Sequence, residues 1–175
     1  MKKLIPYSTD VVFFDTEFTS LDPYSGELLS FGAVKPNGQE CYVEIENNGP
    51  IDDWVRDNIL PTLVQEKLPR NVATAQISEF IGPNKPFGVA FVDNYDTIYS
   101  NKLFSYEKLP FDWMTIDFST VLFALGYNPR LFLPQTEGSA EFYAKLGIEF
   151  QKFHQHHALE DARLLKEVWM KFFES

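Results

Sequence analysis

The chain has 175 residues, 45% of them hydrophobic and 23% charged, which excludes a disordered chain and fits one compact domain. Its 15 basic and 25 acidic side chains leave a net charge of −10, which excludes a protein that coats duplex DNA with a broad basic face. Aromatic residues reach 16%, so the core can be large for this length.

Lys2 and Lys3 are followed by no apolar stretch of the signal-peptide kind, and no apolar run reaches the roughly 18 residues of a membrane span. A soluble cytoplasmic domain is expected, with one domain using nearly the whole chain, 1–175, and its core over about 11–173. Residues 11–14 (VVFF) read as a buried strand running into Asp15. Residues 28–34 read as a second strand. Pro36-Asn37-Gly38 is a turn signal, and residues 40–45 alternate, with Cys41, Val43 and Ile45 on one face and Tyr42 and Glu44 on the other. The first three strands are therefore expected to be antiparallel. Cys41, the single cysteine, excludes a disulfide framework and reads as an inert buried thiol.

The period then changes. Residues 54–60 read as a helix that stops before Pro61, with Trp54 as a core anchor. Residues 72–81 read as a second helix, ended near Gly82-Pro83. Residues 87–92 form the fourth expected strand. Residues 95–104 follow as a helix with Ile98 turned inward, and 115–118 as a short fifth strand. Helices are expected over 119–125 and over 139–146, the latter with Ser139 as N-cap and Gly147 as stop. The last helix runs over 157–173, where Ala158, Ala162, Leu165, Trp169 and Phe172 step by three and four along one apolar face. The fold class is α/β, a sheet with helices packed on it.

Asp15 and Glu17 lie two apart at the end of the most apolar strand and so share a face. Paired carboxylates at a buried edge repel, and each is expensive to desolvate alone. No Lys or Arg lies nearby in sequence, which leaves a divalent cation with carboxylate ligands, or a strand that simply ends in solvent. Asp93 and Asp96 follow the fourth strand in the same way. Asp161 lies in the last helix, where i, i+4 spacing pairs it with His157, and His156 reaches it only from at or before the helix start.

Asp15-Thr16-Glu17-Phe18-Thr19 resembles the first motif of the DEDDh 3′–5′ exonucleases, the superfamily of ribonuclease T, oligoribonuclease and the polymerase proofreading subunit. His156-His157-Ala158-Leu159-Glu160-Asp161-Ala162 is similar to its third motif, and Tyr95-Asp96 to its middle one. The segment Trp54-Val55-Arg56-Asp57-Asn58-Ile59-Leu60-Pro61 resembles small bacterial exoribonucleases of the mycobacterial type. The resemblance implies a ribonuclease H-like fold: a five-stranded mixed sheet, its first three strands antiparallel, with helices on both faces. It also implies hydrolysis of the terminal phosphodiester with two divalent cations, Mg²⁺ or Mn²⁺, ~3.5–4 Å apart.

In that reading Asp15 bridges the ions, Glu17 and Asp161 complete one, and Asp96, preferred to Asp93 because it follows the aromatic, serves the other. His156 is the general base. Phe18 and Thr19 lie beside the terminal nucleotide, with Phe18 either stacking on a base or belonging to the core. Arg56 and Trp54 are further substrate contacts to weigh. The implied partner is a single-stranded 3′ end, short RNA favoured over DNA, with no membrane, and the aromatic excess leaves room for a homodimer. Two rivals give other roles to these residues: a non-catalytic binding module on the same fold, and a zinc site from His154, His157 and Asp161 that leaves Asp15 and Glu17 unused.

Overall fold

The computed structural model of the chain describes residues 5–173. Its longest strand, β1 (Val11–Phe18), begins with four buried apolar residues because both faces of the sheet are covered there. Val12 and Phe14 face helices α2 (Arg70–Ile81) and α3 (Asn94–Phe104). Val11 and Phe13 face α4 (Phe118–Ala124), α5 (Ser139–Leu146) and α6 (Ala158–Phe173). The expected helices on both faces are present.

β2 (Leu28–Val34) runs antiparallel to β1, and β3 (Glu40–Ile45) antiparallel to β2, as the Asn37-Gly38 turn foretells. β5 (Phe87–Ala90) and β6 (Ile116–Asp117) add parallel strands on the other side of β1. The sheet is mixed, and it has six strands rather than five. The sixth is β4, Lys67–Leu68, parallel to β3 at the far edge. Two residues before a proline carry no period-2 pattern. They are held instead by main-chain pairing and by the Lys67 ammonium, which donates to the buried Glu44 carboxylate at 3.1 Å.

Several local expectations are corrected. β1 continues through Asp15 and Glu17 to Phe18, so both carboxylates lie within the strand. Helix α1 spans Asp53–Asn58, and Pro61 sits inside a single 3₁₀ turn, Leu60–Thr62. Trp54 is 55% exposed; Val55 is the residue of α1 that is buried, packing with Ile59 and Leu63 on Leu29. Ile98 is partly exposed, because α3 turns Tyr95, Tyr99 and Leu103 to the core. Phe118 opens α4 rather than closing a strand, and Asp117 caps that helix by accepting from the Ser119 N–H at 2.9 Å. Ser139 lies inside the first turn of α5, buried, its hydroxyl donating to the Pro134 carbonyl at 2.7 Å. Gly147 ends α5 in the left-handed conformation as expected. No helix among the described residues is long and apolar enough to cross a membrane.

One contact fixes where the last helix lies. Ala158, Ala162, Leu165 and Trp169 form its buried face, with Leu164 and Val168 alongside; Phe172 is half-buried. The first turn presses on Gly32 of β2, where a Cβ would stand 2.3 Å from the Leu159 nitrogen and 2.4 Å from the Ala158 carbonyl carbon. Only a residue without a side chain admits a helix backbone that near. Gly32→Ala is expected to destabilise the fold by ~1–3 kcal/mol, the usual penalty of overpacking. Urea denaturation reads the effect, and an unchanged midpoint contradicts the packing argument.

Candidate active site

Gly32 pairs with Asp15 across β1 and β2, and Ser30 pairs with Glu17. Paired residues share a face, so Asp15 and Glu17 stand on the side that receives α6. The first turn of α6, lying over Gly32, carries Asp161 to them. Carboxylate oxygens of Asp15, Glu17 and Asp161 lie within 4.8 Å of one another. Among the described residues this is the group of three or more such side chains gathered closely enough to hold a metal ion. The pairing register of β2 shifts between Glu17 and Phe18, a bulge of the kind that re-aims side chains beside sites.

Asp96 arrives from α3. β5 ends at Ala90, and beyond it the edge of β1 has no strand neighbour on that side. The buried Asp96 carboxylate fills the gap, its Oδ1 accepting from the Thr16 N–H at 2.8 Å and the Thr16 hydroxyl at 2.6 Å. Asp93 turns toward β6 instead, accepting from the Thr115 hydroxyl. Of the two acids that follow β5, Asp96 is the one that raises the proton affinity of Asp15 and Glu17.

The four carboxylates raise one another's proton affinity. Burial, then Asp96, Asp161 and Glu17, hold Asp15 well above the usual carboxylate range. Burial, then Asp161 and Asp96, do the same to Glu17. Burial pushes Asp96 up to about 7 against the two hydrogen bonds from Thr16. It pushes Asp161 up to about 7 against the N–H groups of His157 and His156. The charged groups that raise these values are all carboxylates.

His156 lies just before α6, as its approach to Asp161 requires, and its N–H donates to Asp161 Oδ2 at 3.0 Å. It lines a cleft with Asp15, Asp161, Phe91 and Gln135. Burial lowers its proton affinity below that of a free imidazole. His157 meets Asp161 with its main chain: its N–H faces the Asp161 carboxylate, and its carbonyl accepts from the Asp161 N–H at 3.0 Å. Its ring stacks on Tyr42 at 4.5 Å, so the zinc set of His154, His157 and Asp161 is not assembled.

The remaining expected contacts divide. Phe18 packs on Tyr99, with centroids 4.4 Å apart, and on Tyr95, which favours its place in the core. Thr19 is fully buried. Its hydroxyl oxygen accepts from the Glu27 N–H at 2.9 Å and its carbonyl accepts from the Asp52 N–H, so it clamps the strand end to α1 and does not line the cleft. The Arg56 guanidinium folds back onto Asp53 at 2.5 Å and the Ile51 carbonyl at 3.0 Å, and is not brought to the carboxylates. Trp54 is the residue of this segment that reaches the site, its indole meeting His156 edge-to-face at 5.1 Å. Gly32 went unmarked in the sequence; a glycine inside an otherwise apolar strand is the available signal for a close backbone approach. Cys41 is buried, and burial pushes its thiol up to about 11, as an inert thiol requires.

The sequence model of the RNase_T exonuclease family matches residues 12–169. The chain belongs to this exonuclease family. The PolC-type DNA polymerase III of Caldanaerobacter subterraneus subsp. tengcongensis is 24% identical over 180 residues, which cover 94% of this chain and 12% of the polymerase. Among solved structures, the zinc-bound complex of E. coli exonuclease I with single-stranded DNA superposes with a TM-score of 0.64 at 18% identity. It covers 93% of this chain and 39% of that one. E. coli exonuclease I with a dA16 oligonucleotide gives 0.67 at 15% identity, covering 93% and 40%. This exonuclease domain thus spans two-fifths or less of the relatives it matches, and the structural likeness establishes the shared α/β fold.

The carboxylate cluster predicts a pH dependence. An acid whose native pKa lies above its unfolded value is a proton the folded state keeps longer, so its stabilisation is present at low pH and lost as pH rises through the native value. In metal-free buffer the thermal midpoint is expected to fall as pH rises from about 4 through about 7, the native value of Asp96 and Asp161, while His156 and His157, whose proton affinities are lowered by burial, act in the opposite sense below about pH 6.5. Asp15→Asn is expected to flatten that fall, because it removes one of the mutually repelling charges. A midpoint that is level across this range in the unaltered protein refutes shared protonation.

Proposed function

We propose that the chain is a metal-dependent 3′–5′ exonuclease that hydrolyses the terminal phosphodiester of a single strand and releases a nucleoside 5′-monophosphate, with residues 11–173 as one exonuclease domain. The observation that carries this reading is the convergence of Asp15, Glu17 and Asp161 within 4.8 Å. Hard oxygen donors at such density fit Mg²⁺ or Mn²⁺.

Asp15, central on β1, and Glu17 and Asp161 beside it would hold the divalent ions, which would supply a nucleophilic water at neutral pH and neutralise charge on the scissile phosphate. Asp96 supports them from the open edge of β1, with one oxygen committed to Thr16. His156 accepts the proton of the attacking water on an imidazole nitrogen. Its lowered proton affinity keeps that nitrogen free near neutral pH. Phe18, next to Glu17, packs on Tyr95 and Tyr99, and the part of its ring left exposed would flank the terminal nucleotide.

For the sugar, short RNA with little base preference is supported by the likeness of residues 54–61 to small bacterial exoribonucleases. A second reading, DNA, is favoured by the relatives, one of which is a DNA polymerase and another an exonuclease bound to DNA. The net charge of −10 leaves few cations for a long phosphate track, so the footprint is short in either case.

Matched labelled RNA and DNA oligonucleotides, incubated with Mg²⁺, Mn²⁺ or EDTA, test both levels. Activity is expected with either ion and none in EDTA, with RNA shortened from its 3′ end faster than DNA. Faster DNA turnover assigns the second reading, and undiminished activity in EDTA removes metal dependence. Asp15→Asn and Asp161→Asn are expected to abolish hydrolysis while the apo protein stays folded, and full activity in either discards this ligand set. His156→Ala is expected to lower the rate by roughly 10²–10⁴-fold, and His157→Ala far less.

A further inference from the structure

His156 holds a backbone conformation uncommon for residues other than glycine: its φ is +59°, in the left-handed region. Such conformations persist where surrounding contacts over-determine them. Three contacts surround this one. The N–H donates to Asp161 within the site. The carbonyl accepts from the Thr62 hydroxyl at 3.1 Å, across 94 residues of sequence. The ring rests edge-on against Trp54.

Two of the three come from the segment of α1 and its 3₁₀ turn, and that segment is itself tied to β1. Val55, Ile59 and Leu63 pack on Leu29, the residue where the β2 register shifts. The Asp52 N–H donates to the Thr19 carbonyl at 3.0 Å, two residues beyond Glu17. One end of the segment is therefore keyed to the strand that carries the carboxylates, and the other to the residue that accepts the proton.

We propose that Thr62 is a positioning residue for His156. Its hydroxyl is shared between the Ile59 carbonyl at 2.8 Å and the His156 carbonyl, and it holds residue 156 in the left-handed conformation that keeps the imidazole at the lip of the cleft. This rests on His156 as the proton acceptor. The rival role for Thr62 is purely local, closing its own turn through Ile59.

A double-mutant cycle separates the two. Thr62→Val keeps the shape of the side chain and removes the donor; Thr62→Ser restores it. Steady-state rates on a labelled single strand are read over a range of substrate concentrations, in the unaltered protein and in a His156→Ala background. In the unaltered background Thr62→Val is expected to lower kcat about tenfold with KM little changed, since Thr62 touches the base rather than the substrate. Thr62→Ser is expected to stay within about twofold of the unaltered rate. In the His156→Ala background Thr62→Val is expected to change nothing further. An equal fold-loss in both backgrounds makes Thr62 a local cap and overturns the proposal. Undiminished kcat in His156→Ala alone overturns the reading of His156 as proton acceptor, and the two failures are thereby told apart. Thermal midpoints accompany each variant, and Thr62→Ala serves the same cycle should the valine variant unfold.

Discussion

The arrangement depends on one close approach, that of the first turn of α6 to Gly32. A helix backbone laid against a strand without an intervening side chain brings Asp161 to the level of Asp15, which Gly32 faces across the ladder. Any Cβ at that position stands between the two carboxylates in effect, although it touches neither. The apolar face of α6 supplies the adhesion, with Leu165 and Trp169 buried against β1 and its neighbours, but apolar burial is non-directional and sets no depth. Gly32 sets the depth, and therefore the geometry of the site.

That depth gathers like charges in a partly buried place, which works against stability in the free protein. The fold meets the conflict by over-fixing the chain around it. Thr16 uses two donors to hold Asp96, His156 gives its N–H to Asp161, and the Thr19 clamp locks the end of β1 to α1. The carboxylates do not escape one another by moving; protons or a cation are the remaining means of relief. A cation placed among these carboxylates would relieve part of that repulsion.

Much of this was legible in the sequence. Asp15, Glu17, Asp96, His156 and Asp161 stand out because their chemistry demands particular residue types, and strands β1 to β3 because alternation and an Asn-Gly turn declare them. What escaped reading depends on neighbours distant in the chain. Gly32 looks like a passive strand residue until α6 is laid over it. Lys67-Leu68 is too short to show a period, and its strand exists because β3 offers a partner. Trp54 reads as a core anchor from its size alone, yet Val55 takes that place and leaves the indole against His156. Ser139 has the composition of a cap but sits one residue too late, because Gly138 takes the N-cap position. Thr62 carries no local signal at all.

The shortness of β5 has a consequence for how this fold tolerates change in length. The strand stops at Ala90, and Val92, at φ +58°, swings the chain out toward α3. The vacated edge of β1 is the slot Asp96 occupies. Two more residues in β5 would let main chain pair with Thr16 and evict the carboxylate, while the sheet itself gained hydrogen bonds. Insertions at residues 90–93 thus threaten the slot that Asp96 fills, and they disturb the buried Ala90 and the Val92 N–H that donates to Asp117. The hairpin turn at residues 36–38 is exposed and distant, and admits them freely. The catalytic edge is preserved by an interruption of the sheet, so selection for a longer, better-paired sheet and selection for the site pull in opposite directions at the same four residues.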